Sequence, residues 1–414
     1  MSAAERVGRR TFAALSVRNF RLYFIGQLIS VSGTWMQTVA QSWLILKLTH
    51  NSAIYLGVGA ALQYVPMLLF ASYGGLVADR HEKRRILYVT QLSAGLLALA
   101  LGVLVTTHHD SIHAIYALAF LLGIVNLFDN PARQSFVQEM VGPELITNAV
   151  SLNSVLMNLG RLIGPAIAGG LIAAVGTATC FYVNAASYIT VIVALALMRS
   201  ADLMTIRTVH RAKRQLRLGF AYMLETPLLR DVLAATFVVG TFAFNFTVTL
   251  PELTRVTFHE TSALRYTIIL TAMGLGAVIG GLYIAHRSRP TVTLLAVLAT
   301  AFGVFMSVVA MAPSLPVATA AMVPTGAVSI AFVSTANALL QLNSAEEMRG
   351  RVMSLYATAF LGTTPIGAVA IGAVIAASNP RVGLMVGSTL TLVTGLWLLA
   401  ARRRVVVPTA LATR

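Results

Sequence analysis

Charge is what this 414-residue sequence has least of. Only 11% of its residues are Asp, Glu, Lys or Arg, against roughly 25% in soluble domains. So few charges cannot cover a water-exposed surface, which argues against a soluble enzyme, and the 57% apolar content excludes a disordered chain. There is a single cysteine, Cys180, so no internal disulfide and no cysteine metal site can form. The sequence has no GxxxxGK[ST] phosphate loop, so ATP does not drive it, and no HExxH or paired intramembrane carboxylates for hydrolysis. His108, His109 and His113 beside Asp110 read as a solvated loop. No enzyme activity, cofactor or metal is expected.

What the sequence has is long apolar runs. Mean hydropathy is +0.79. A bilayer core of about 30 Å takes roughly 20 apolar residues as a helix, the one open structure that satisfies its own backbone there. Twelve such stretches are predicted: 20–46, 54–78, 86–107, 112–130, 149–174, 179–198, 230–252, 264–286, 291–311, 316–341, 352–377 and 381–401. The first is too long, and too polar within, for a cleaved signal peptide. With the amino terminus inside, 25 of the 30 Lys and Arg fall in cytoplasmic segments and four (Lys47, Arg255, Arg265, Arg381) in outer loops. That asymmetry predicts a multi-pass plasma or inner-membrane protein with both termini cytoplasmic. It also accounts for the net charge of +16 without a nucleic-acid partner.

The longest loop divides the chain into a six-helix bundle at 1–198, a cytoplasmic linker at 199–229 and a second bundle at 230–414. The linker carries Arg207, Arg211, Lys213, Arg214 and Arg217, and Leu216, Leu218, Phe220 and Leu224 fit either a helix lying on the membrane or a solvated strap. An internal repeat supports the division. QEMVGPELITNAVSL at 138–152 matches QLNSAEEMRGRVMSL at 341–355, and GGLVADRHEKRR at 74–85 matches GGLYIAHRSR at 280–289. The offsets, 203 and 206, agree closely, as tandem halves require.

The loop after span two, with Gly75, Asp79, Arg80, Lys83 and Arg84, resembles the G-x-x-x-D-R-x-G-R-R signature of the major facilitator superfamily, with Glu82 in place of its second Gly. In span five, Gly160, Gly164, Pro165, Gly169 and Gly170 resemble that superfamily's antiporter motif, with Ala168 at one glycine position. DNPARQSFVQEMV and EEMRGRVMSLY further resemble its exporter branch of enterobactin and macrolide efflux proteins. The resemblance implies an all-α membrane protein of twelve transmembrane helices in two pseudo-symmetric six-helix bundles. It implies alternating access, a proton gradient as the energy source, and a monomer. Asp79 would gate the cytoplasmic side with Arg133, the basic residue ending span four. Gly75 would let helices two and eleven close up there, and Gly164 and Pro165 would shape span five.

Arg161 lies deep inside span five, where a charge costs at least ~2.5 kcal/mol. Asn158 shares its face, and Arg161 either braces the bundle or holds an anionic group of the substrate. Span one carries Gln27, Ser30, Thr34, Gln37 and Gln41 on one helical face, which predicts a water-lined cavity. Asn126, Phe242, Asn245, Asn337 and Gln341 extend that cavity in other spans. The expected activity is export of small amphipathic molecules of multidrug type; the alternatives are a siderophore exporter and a lysophospholipid flippase. Asp129, Asp231 and Glu252 are the carboxylates nearest to a coupling site, and none is assigned that role.

Overall fold

The computed structural model describes residues 12–204, 215–286 and 290–401. Fourteen α-helices make up the described chain. In the first half they are α1 (Arg18–Leu48), α2 (Ala53–Arg80), α3 (Lys83–Thr106), α4 (Ile112–Val175) and α5 (Thr177–Leu197). A short α6 (Gln215–Glu225) leads into α7 (Pro227–Phe242), α8 (Phe246–Glu252), α9 (Ala263–His286), α10 (Val292–Met311), α11 (Leu315–Leu342), α12 (Glu346–Ala357), α13 (Thr364–Ala377) and α14 (Pro380–Ala401). Two π-helical turns, Leu253–Thr257 and Thr358–Gly362, join α8 to its loop and α12 to α13.

By length and composition ten stretches among the described residues can cross a membrane. That count treats the 64-residue α4 as one span and omits α1. Helix α4 is two spans, because Gly142 at φ 72° breaks it, a left-handed conformation that glycine adopts without a Cβ clash. Helix α1 escapes a composition test because of its polar face, although it is 31 residues long and packed inside the bundle. With these two adjustments the twelve spans expected from the sequence are present.

The segment at 131–148, expected to be a loop, is helical apart from Gly142. The expected fourth span ended at 130, yet α4 runs through Pro131, and Pro143 starts the next helical stretch, where its missing N–H costs nothing. The second repeat unit opens at Glu346, at the 203-residue offset of the sequence repeat from Pro143. Part of the linker is likewise helical: α6 leaves Phe220 and Leu224 about half exposed, in keeping with a membrane-surface helix. Arg207, Arg211, Lys213 and Arg214 lie outside the described residues, as do residues 287–289 of the second repeat and the side chains of Leu216, Arg217 and Leu218.

Within the first bundle α1 and α2 pack on α4, and α3 packs on α5; in the second, α9 packs on α11, and α10 on α14. The bundles meet along two principal seams, α2 on α13 and α4 on α9. Small residues set both. A Cβ on Gly372 would lie 2.7 Å from the Ala53 carbonyl oxygen, and one on Gly274 would lie 2.8 Å from Leu162 Cα. The α2 seam therefore closes at Ala53 and Gly57, the end remote from Asp79. In this conformation Gly75 does not bring helices two and eleven together at the Asp79 end. Packing of α2 on span eleven involves Thr358–Gly362 and α13 rather than α12, and the neighbouring Gly74 fits against Leu127 of α4. On the α4 seam the bundles stay close from Thr267 against Gly169 to Gly281 against Asn158.

Candidate functional site: a two-faced central cavity

A cavity of about 380 Å³ lies between the bundles. Its first wall holds the charged and amide side chains, set among apolar ones such as Trp35, Leu56, Leu122 and Val125. Helix α1 contributes Ser30, Thr34, Thr38, Gln41 and Ser42, α2 contributes Gln63 and Tyr64, and α4 contributes Asn126, Asp129, Asn130, Arg133 and Arg161. The 3.6-residue repeat of α1 puts its small polar groups on one side, as the sequence predicted. The opposite wall is apolar and aromatic: Phe244 and Phe246 flank the break between α7 and α8, Leu270 and Met273 come from α9, and Phe360 comes from the π-turn before α13. Phe244 packs edge-on against Phe360 at 5.0 Å between ring centroids and against Phe246 at 6.2 Å.

Three charged side chains line the cavity: Asp129, Arg133 and Arg161. Asp129 is 1% exposed. Its Oδ1 accepts from Thr90 Oγ1 and Gln91 Nε2, both at 2.8 Å, and its Oδ2 accepts from Arg133 one helical turn later. Arg133 Nη1 donates to Gln27 Oε1 at 3.1 Å, tying α1 to α4. Arg133, expected to pair with Asp79, thus has its ionic partner in its own helix. The uninterrupted α4 puts residues 129 and 133 on one face, which the assumed loop at 131–148 concealed. Asp79 is half-buried near the end of α2, and Arg80 beside it is exposed. Across the same membrane face Lys83 pairs with Glu139 at 3.1 Å.

Arg161 is the third charge. Its guanidinium carbon stands 4.9 Å from the Trp35 ring centroid, a cation–π stack, while Nε and Nη1 are buried without a hydrogen-bond partner. Pro165, one turn on, also lines the cavity, and Gly164 admits α1: a Cβ there would meet Trp35 Cβ at 2.6 Å and Met36 N at 3.0 Å.

Of the residues expected in the cavity, Ser30, Thr34, Gln41, Asn126 and Arg161 line it. The others do not. Gln37 is buried and accepts a 2.6 Å hydrogen bond from Asn184 Nδ2, bracing α1 on α5. Asn158 Nδ2 donates to the Ser154 carbonyl and Asn245 Nδ2 to the Thr241 carbonyl, bonds within their own helical turns. Phe242 packs into the second bundle, while Phe244, Phe246 and Met273, apolar residues also suited to a substrate site, line the cavity. Gln341 bonds Asn337 at 2.6 Å near the end of α11. Amides inside a span need a partner, and a neighbouring backbone supplies one as well as a cavity does. Gln63, Tyr64, Gln91, Asn130 and Phe360 are cavity residues that the sequence did not single out. Gln63 and Gln91, polar within apolar runs, were the available signal.

The fold is shared with solved transporters at low sequence identity. A POT family transporter bound to a thioalcohol-conjugated peptide superposes with TM-score 0.74 at 13% identity, covering 94% of this chain and 96% of that one. A bacterial homologue of the human lysosomal transporter Spinster gives TM-score 0.70 at 14% identity, covering 95% and 97%. Nearer in sequence are the enterobactin exporter EntS of Salmonella choleraesuis (strain SC-B67), 27% identical over 92% of this chain and 91% of that one, and the multidrug efflux pump Tap of Mycolicibacterium fortuitum, 26% identical over 85% and 88%. The staphyloferrin A transporter of Staphylococcus aureus is 29% identical over a shorter match, 63% of this chain and 66% of that one. The family of transmembrane secretion effectors matches residues 9–412. With its twelve spans and its central cavity between paired bundles, the chain belongs to that family and is a multi-pass membrane transporter of the major facilitator superfamily.

Proposed function

We propose that this transporter exports small amphipathic molecules by alternating access, driven by a proton gradient. The observation that carries the reading is the two-faced cavity, polar on the first bundle and aromatic on the second. A molecule with one polar and one apolar end satisfies both walls, and neither wall alone would hold it against water or lipid. Siderophore exporters and a multidrug pump among the relatives support the outward direction.

The unequal Lys and Arg count puts the basic loops and both termini in the cytoplasm. The conformation described is then closed outside and open inward, the state that loads a substrate to be exported. The units that rock are 1–198 and 230–414, joined by 199–229, and one copy of the chain suffices. Asp79, with Arg80 and Gly75 beside it, closes the cytoplasmic side in the outward-open state, when the basic ends of helices two and eleven meet. Gly164 and Pro165 let α1 and the second half of α4 slide as the cavity changes shape. Asp129 is assigned the coupling proton. It is the carboxylate in the cavity wall, and its protonation would release Arg133 and loosen the tie between α1 and α4. Tyr23 of α1 and Tyr188 of α5 are the other titratable side chains around the pair.

The test is accumulation of a panel of hydrophobic dyes in cells lacking and overproducing the protein, with and without a protonophore. Lower accumulation on overproduction, abolished by the protonophore, is expected. Unchanged accumulation across the panel, or efflux indifferent to the protonophore, refutes the proposal.

A further inference from the structure

The charges in the cavity do not cancel. Asp129 and Arg133 neutralise each other, and Arg161 has no counter-ion among the described residues of the cavity wall. The Tyr64 hydroxyl lines the same wall and is no counter-ion at physiological pH. Two of the guanidinium nitrogens of Arg161, Nε and Nη1, are buried and without partners. The guanidinium carbon stands 4.9 Å from the Trp35 ring centroid, so an acceptor reaches its edge only when a small side-chain shift uncovers it. A planar guanidinium presenting its edge matches the two oxygens of a carboxylate, sulfonate or phosphate. Stacking on Trp35 fixes the orientation of that fork before a ligand arrives, so little of its freedom remains to be lost.

From this geometry we infer that the cavity selects amphipathic anions: an acidic head on Arg161 and an apolar, preferably aromatic, body against Phe244 and Phe360. The inference rests on the transport reading above and names the substrate class of the same site. A lipophilic cation would meet a like charge in a low-dielectric wall, where repulsion is weakly screened. A neutral analogue would leave the guanidinium without an acceptor. The site is also placed to report occupancy. The Arg161 carbonyl oxygen lies 3.0 Å from where a Cβ on Gly274 would be, on the α4–α9 seam between the bundles. A ligand pulling on this side chain acts on the surface across which the bundles move.

The experiment uses the full chain in phosphatidylcholine nanodiscs and two probes of one skeleton. They are 8-anilinonaphthalene-1-sulfonate, an anion, and N-phenyl-1-naphthylamine, its neutral counterpart. Binding is measured by equilibrium dialysis with empty nanodiscs subtracted. Wild-type protein is expected to bind the sulfonate at least tenfold more tightly than the amine. Arg161→Gln should bring that ratio near one, chiefly by weakening sulfonate binding, and Arg161→Lys should retain part of the preference. Equal wild-type affinities, no binding of the sulfonate, or a ratio preserved in Arg161→Gln would each overturn the inference, and the wild-type ratio decides even if a variant fails to fold. Replacing part of the lipid by phosphatidylglycerol is expected to leave the preference intact. Its abolition there would mean that the fork takes a lipid headgroup, and would overturn selection of a soluble anion. Failure of export itself appears separately, as absence of dye efflux from a protein that still binds the sulfonate.

Discussion

Asp129→Asn is the perturbation whose outcome follows most directly from the structure. Asparagine has the shape of aspartate and keeps an oxygen for Thr90 and Gln91, so two of the three hydrogen bonds survive. Its amide group then faces Arg133, donor against donor, and the arginine charge loses its counter-ion. Breaking a buried pair from one side costs about 3–5 kcal/mol. The Asp129 side chain is 2% exposed and that of Arg133 21%, so cavity water reaches the arginine and the lower end, about 3 kcal/mol, applies. The double variant Asp129→Asn/Arg133→Gln removes both charges and should recover most of the loss. Thermal stability followed by size-exclusion in detergent measures this part. In proteoliposomes Asp129→Asn should also lose efflux driven by a pH gradient while retaining substrate counterflow, which needs no net proton movement. Full gradient-driven efflux by the single variant, or a double variant no more stable than the single, would refute the assignment.

Further outcomes follow from other contacts. Gln37→Ala should cost about 1–3 kcal/mol, because it leaves the buried Asn184 amide unpaired, and should not alter the substrate range in an efflux panel. Gly274→Ala puts a methyl group against Leu162 on the seam between the bundles; an overpacking penalty of about 1–3 kcal/mol there should slow transport while substrate binding persists. Phe360→Ala removes part of the aromatic wall and should raise the KM for an aromatic substrate by up to about tenfold, the worth of a good ring contact. Lys83→Glu should impair export by breaking the 3.1 Å pair, and the exchange Lys83→Glu/Glu139→Lys should restore it; transport assays on the two variants decide.

The fold was legible because lipid imposes a length and an apolar composition on every span, and because the basic residues lie so unevenly between the loops. The two halves could be read from repeats that the structure places at equivalent helix starts, Pro143 and Glu346. The cavity was legible only in part. A polar face on α1 announces that the helix faces something other than lipid, but not which amide meets a neighbour and which meets the cavity. Gln41 and Gln37 lie one turn apart, and only the position of Asn184 on α5 decides between them. The same holds for Asn245, whose amide turns back onto its own helix. Asp129 was passed over for another reason. Its role depends on Arg133 lying one helical turn away, and the span expected from the sequence ended at 130, between the two. Phe360 enters the cavity through a π-helical turn, for which the sequence has no simple signature.

Alternating access is the claim on which the rest depends, and paired distances across the two membrane faces test it most directly. Spin labels at the exposed positions Asn51 and Asn379 report one face, and labels at His81 and Glu347 report the other. In lipid, the first distance should lengthen and the second shorten together as the bundles pass from this conformation to its opposite under a proton gradient and substrate. Two distances that stay fixed, or that lengthen together, would contradict the account.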